Sequence, residues 1–124
     1  RNNDTRIYPW GNEEPTVFNT NFNKNIGEKT IAVGSYPTWM SPYGALDMAG
    51  NVAEWVLDWF AEDYYASQTE WNNPQGPSDG VMKVLRGGSW NDNEDGIRST
   101  YRALADPLVG LSFTGVRCVW MEDQ

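Results

Sequence analysis

Between residues 9 and 44 no stretch runs long enough to build a regular element before a turn former interrupts it. Pro9-Trp10-Gly11-Asn12, Glu14-Pro15, the asparagine-rich run 19–25, Gly27, Tyr36-Pro37 and Ser41-Pro42-Tyr43-Gly44 follow one another. Each fixes a backbone dihedral, frees one, or offers a side chain that bonds its own backbone. This half of the chain is thereby committed to loops, and loops bury few main-chain hydrogen bonds by themselves. Something else has to hold them, and the composition offers two means. Seven tryptophans supply large rings for packing, and 17 acidic residues supply the hard oxygen ligands that calcium and magnesium prefer.

The 124 residues fit one domain, and 40% hydrophobic content is that of a globular chain. A formal charge of -8 sets up a field that repels phosphate backbones and anionic lipid, so nucleic acid is not an expected partner. Histidine is absent, which removes the commonest general base, the Ser-His-Asp arrangement and the commonest zinc ligand. With Cys118 alone, no disulfide and no CxxC site can form within the chain. No run approaches the roughly 18 apolar residues that span a bilayer, and the first residues carry no signal-peptide core, so membrane insertion is not expected. Arg1-Asn2-Asn3-Asp4-Thr5 reads as the middle of a loop, and a fragment of a longer domain is expected.

Val52, Trp55, Val56 and Trp59 recur at i, i+3, i+4 and i+7, which predicts a helix over 52–60. Asn51 would cap it, with Glu54 reaching back as in a capping box. Residues 63–80 read as a surface connection broken by Asn72-Asn73-Pro74 and Gln75-Gly76-Pro77. Strands are expected at 81–86 and 115–120, with a loop over 106–114 between them.

Several blocks stand in a fixed order: Tyr8-Pro-Trp-Gly-Asn12, Val33-Gly-Ser-Tyr-Pro37, Tyr43-Gly-Ala-Leu-Asp-Met-Ala-Gly-Asn-Val-Ala-Glu-Trp55, Asn73-Pro-Gln-Gly-Pro77, Leu85-Arg-Gly-Gly-Ser-Trp90, Arg98, Arg102 and Gly115-Val-Arg117. In order and spacing, along nearly the whole chain, they resemble the formylglycine-generating enzyme, or sulfatase-modifying factor, family. The resemblance implies an α+β, C-type-lectin-like fold that is irregular and loop-rich. It also implies that residues 1–124 are the C-terminal part of a single domain whose N-terminal half precedes the PWGN block. Half a core would leave apolar faces against water, so the missing half or a companion chain is an expected partner.

The resemblance further implies two structural calcium ions. One would be held by the side chain of Asp47, main-chain oxygens at Gly50 and Val52, and the carboxylate of Glu54. The other would be held by Asn21, the Phe22 carbonyl, Asn25 and the Gly27 carbonyl. The alternatives read from the residues are a helix-capping role for Glu54 and an asparagine-rich turn that bonds its own backbone.

In the oxidase members of the family, copper-binding cysteines follow the GGSW block at the positions of Asp92 and Ile97. Cu(I) selects soft thiolates, a carboxylate is hard and isoleucine has no lone pair, so no copper site is expected here. What stands there instead is the polar, acidic loop Asn91-Asp92-Asn93-Glu94-Asp95 beside Trp90, suited to polar groups, peptides or glycans, or else simply solvated. Ser89, Trp90, Asn91, Asp92, Asn93, Asp95 and Arg102 are the candidate ligand-binding residues. The expected function is a noncatalytic, calcium-stabilised binding domain. Alternatives are part of an oxidase of the family, formylglycine-generating or sulfoxide synthase-like, whose catalytic groups lie elsewhere, and a cell-envelope scaffold. A calcium requirement leans toward a secreted or envelope location.

Overall fold

The structure is a computed structural model that describes residues 5–23, 29–67, 72 and 74–120. Its regular elements are β1 (Ala53–Trp59), the single-turn helix α1 (Tyr64–Ser67), β2 (Lys83–Arg86), β3 (Ala103–Ala105) and β4 (Thr114–Gly115). The four strands form one mixed sheet in the order β3-β2-β1-β4. β1 runs antiparallel to β2 and parallel to β4, and β2 runs antiparallel to β3. Among the described residues no helix is long and apolar enough to cross a membrane.

The helix expected over 52–60 is instead the central strand β1. The same residues also alternate, with Ala53, Trp55, Leu57 and Trp59 at every second position. In so short an apolar run the two periods cannot be told apart locally. Pairing decides it: Glu54 sits opposite Arg86, Trp55 opposite Leu85 and Trp59 opposite Lys83, with a register shift between Trp55 and Trp59. The shift re-aims the end of the strand, where Lys83 Nζ lies 3.9 Å from the centre of the Trp59 ring. With no helix to start, the capping roles lapse. Asn51 has φ 66°, far from the extended backbone of a helix N-cap, and Glu54 binds Arg117.

β2 is shorter than the stretch 81–86 expected of it. The strand expected at 115–120 is reduced to Thr114–Gly115 beside the start of β1. Val116, Val119 and Trp120 are exposed, so no packing surface holds the later residues in a ladder.

Two small cores result. One joins Tyr8, Phe22, Ala49 and Ile97, with Ile7 and Trp10 against it. The other joins Ala53, Leu85 and Ala105 with Trp55, Ala103 and Leu111. The loops are held in part by rings, as expected: Tyr8 stacks on Trp10 at 5.2 Å, and Trp39 meets Trp10 edge-on at 5.8 Å. The rest is done by buried amides. Asn51 Oδ1 accepts from Asn21 Nδ2 at 3.2 Å and from the Ile31 N–H at 3.0 Å, while Asn51 Nδ2 donates to the Ile31 carbonyl at 3.3 Å. One side chain thus staples three loop segments, and buried polar groups satisfied in this way rigidify what they join.

Candidate functional site

Residues 47–51 form a turn in which Asp47 (φ 53°), Gly50 (φ 76°) and Asn51 (φ 66°) all take left-handed backbone. Left-handed backbone at three of five positions bends the chain more sharply than an extended or helical segment can. At position 50 only glycine fits, because a Cβ there would lie 2.5 Å from Thr20 Oγ1 and 2.6 Å from the Asn21 carbonyl oxygen. The turn faces a cavity of about 390 Å3 whose walls include Asp47, Gly50, Val52, Glu54 and Arg117. All four residues of the first expected calcium set therefore line one space.

The two carboxylates on that cavity have protein partners. Asp47 Oδ2 accepts from the Gly34 N–H at 2.7 Å. Glu54 is gripped side-on by Arg117, whose Nε lies 2.9 Å from Oε2 and whose Nη2 lies 2.7 Å from Oε1. The same Nη2 donates to the Leu46 carbonyl at 3.0 Å and the Asp47 carbonyl at 3.2 Å. The hydrogen bonds to Glu54 raise the Arg117 pKa further above its ordinary value, against a smaller opposing effect of burial. This ion pair joins residues 63 positions apart, and nothing in the sequence pattern signals it.

The cavity walls carry two carboxylates, the hard donors that calcium prefers, and no soft ligand, but also the Arg117 guanidinium, a cation that already occupies Glu54. Among the described residues no group of three or more acidic or thiol side chains converges, so an ion here would depend on carbonyls to complete its shell. Of the second expected set, Asn25 and Gly27 lie outside the described residues. Asn21 and Phe22 are buried, Asn21 with its amide on Asn51 Oδ1 and the Lys29 carbonyl, Phe22 within the first core.

The loop after β2 turns on Gly87 (φ 84°) and Gly88 (φ 65°). Ser89 is 1% exposed, and both its N–H and its hydroxyl donate to Asp92 Oδ2, at 2.8 and 2.6 Å. The Asp92 carboxylate is thus spent on its own loop, and its carbonyl accepts from the Asn23 N–H at 2.8 Å. Ile97 is fully buried in the first core. The Trp90 N–H donates to the Asn51 carbonyl, so the turn at 47–51 and this loop are tied directly together.

The expected ligand-binding residues therefore divide. Asn91, Asn93 and Asp95 are exposed and Trp90 is half-buried. Asn93 Oδ1 accepts from the Gly96 N–H, and Asp95 pairs with Arg98 at 3.0 Å. Ser89 and Asp92 hold the loop together. Arg102 stands apart, its guanidinium 4.5 Å from the centre of the Tyr65 ring and 5.2 Å from that of Phe60, with Nη1 3.5 Å from the Ala61 carbonyl.

The family model for the sulfatase-modifying factor enzyme 1-like domain matches residues 2–122, and the chain belongs to that family. It is 44% identical over 112 residues to a protein named serine/threonine-protein kinase pkn1 from Chlamydia caviae, covering 90% of this chain and 17% of that protein. It is 32% identical over 132 residues to a formylglycine-generating enzyme from Thermomonospora curvata, covering 93% and 43% respectively. Among solved structures, Treponema denticola variable protein 1 superposes with a TM-score of 0.69 at 35% identity, covering 80% of this chain and 34% of that one. The fold is that of the family, and the chain spans less than half the length of each of these relatives.

Proposed function

We propose that the chain is a noncatalytic, calcium-stabilised ligand-binding portion of a sulfatase-modifying-factor-like domain, with Trp90, Asn91, Asn93 and Asp95 as its recognition surface. What carries this reading is the state of positions 92 and 97, which hold the copper cysteines in the oxidases that the chain resembles. One is a carboxylate consumed by Ser89 at 2.6 Å, the other an isoleucine sealed in the core. Cys118, the single thiol, is exposed on the segment after β4, and Cu(I) requires soft ligands that the loop does not offer.

Calcium would be held by the carboxylates of Asp47 and Glu54 and the carbonyls of Gly50 and Val52, and would supply the positive charge that fixes the 47–51 turn. A second ion would take Asn21, the Phe22 carbonyl, Asn25 and Gly27. The reading includes a covering segment, either the preceding half of the domain or a companion chain. In its favour are Leu57 and Val81, each 79% exposed, and Trp120 at 89%, large apolar side chains that a covering segment would bury. The ligand is a peptide or a glycan.

Metal content after dialysis against both ions tests the proposal: stoichiometric calcium without copper is expected. On peptide and glycan arrays, Trp90→Ala is expected to weaken binding by about 30-fold, the usual effect of truncating a buried aromatic anchor. The second reading, part of an oxidase completed by residues outside this chain, is favoured by the name of the Thermomonospora curvata relative. Stoichiometric copper together with oxygen-dependent conversion of a cysteine peptide would establish it instead.

A further inference from the structure

A second cavity, of about 530 Å3, lies among Arg6, Tyr43, Met48, Arg86, Ser99 and Thr100. Its walls include neither the carboxylates of the first cavity nor the 89–96 loop. Its volume falls in the range of small-molecule sites.

The sheet register explains its charge. Arg86 sits directly opposite Glu54, and opposite charges so placed would ordinarily satisfy each other. Glu54 is instead taken from the other side by Arg117. Arg86 is left with uncharged acceptors: Nη1 donates to the Thr100 carbonyl at 3.1 Å and the Tyr101 carbonyl at 2.8 Å, and Nη2 approaches the Tyr65 hydroxyl at 3.5 Å. Among the described residues no carboxylate pairs with it. The two carbonyls hold Nη1, so the edge formed by Nε–H and Nη2–H keeps hydrogens to donate. That is the edge with which Arg117 clasps a carboxylate elsewhere in the molecule. Arg6, whose Nη1 donates to the Pro9 carbonyl at 2.9 Å, brings a second guanidinium to the same cavity. Arg86 thus places a positive charge on this cavity in a chain of net charge -8. Tyr43, 85% exposed, and Met48 provide an apolar wall.

We propose that this cavity binds a small organic oxyanion, a carboxylate or phosphate on a flat apolar body. The anion lies on the Arg86 edge, as planar bidentate recognition requires, and the body lies against Tyr43 and Met48. The inference is independent of the calcium reading.

Benzoate, phenyl phosphate and neutral benzyl alcohol, titrated into the full chain at constant ionic strength, test it through the amide resonances of Gly87 and Thr100. Saturable shifts are expected with at least one anion, at a Kd of ~1 mM or tighter, and none with the alcohol. The anion that binds more tightly identifies the headgroup. Arg86→Gln is expected to weaken binding by about tenfold or more, Tyr43→Ala by a smaller factor, and Arg98→Gln not at all. Because Tyr43 is a surface residue, its variant decides the matter if Arg86→Gln does not fold. Shifts that never saturate, equal response to the alcohol, or affinity unchanged in the folded Arg86→Gln or Tyr43→Ala variant would overturn the proposal.

Discussion

Gly50→Ala is expected to lower the stability of the fold by about 3 kcal/mol, adding left-handed strain of ~1 kcal/mol to the 1–3 kcal/mol typical of forcing atoms into a packed site. Two features make this position intolerant. Its φ of 76° disfavours any side chain, and the added methyl would meet Thr20 Oγ1 and the Asn21 carbonyl at distances no Cβ occupies. Neither neighbour can easily yield. Thr20 is buried with its hydroxyl donating to the Ala49 carbonyl at 2.6 Å, and the Asn21 carbonyl accepts from the Asn51 N–H at 2.8 Å. Gly110→Ala is the matched control, since a Cβ there meets open space. In denaturant titrations Gly110→Ala should leave the midpoint nearly unmoved while Gly50→Ala lowers it sharply. Similar midpoints would mean that the 47–51 turn is not the rigid element described.

The second large effect is expected at Ile97. Ile97→Ala should cost about 2–5 kcal/mol, the range for truncating a fully buried aliphatic residue. In a core this small, with Tyr8, Phe22 and Ala49 as its other buried members, neighbours have little scope to close the void. A loss below ~1 kcal/mol in the same titration would show that Ile97 is not sealed. Its position matters beyond stability, because under the proposed reading Ile97 stands where the family's oxidases carry a copper ligand, and the first core depends on it.

What the residues disclosed, and what they hid, follows from how far each interaction reaches along the chain. Turn formers act within a few positions, so the loop-rich character of the described residues between 9 and 44 was legible, as was the family through blocks such as GNVAEW and LRGGSW. The stretch 53–59 was misread because both periods fit its spacing, and its partner strands lie about thirty and sixty residues away. Asn51 looked like a helix cap from its neighbours, whereas its function is set by Asn21 and Ile31. The grip of Arg117 on Glu54, which leaves Arg86 without a carboxylate among the described residues, depends on β4 lying beside β1, which no local pattern specifies. Within the candidate recognition loop, exposure of Asn91 and Asn93 accords with their polarity. The inward turn of Ser89 and Asp92, in which the Asp92 carboxylate accepts from the N–H and hydroxyl three residues back, spans so few positions that a local reading could have found it too.

Calcium bound through oxygen at the Asp47–Glu54 turn is proposed to hold this scaffold rigid. This is tested most directly by thermal unfolding in saturating calcium and in chelator, for the unaltered chain and for Asp47→Asn. At calcium a hundredfold above its Kd, ligand linkage gives about 2.7 kcal/mol, or a rise in Tm of about 10 °C for a chain of this size. That rise is expected in the unaltered chain and should nearly disappear in Asp47→Asn, which keeps the acceptor for the Gly34 N–H but removes the charge. Superimposable melting curves of the unaltered chain in calcium and in chelator would contradict it.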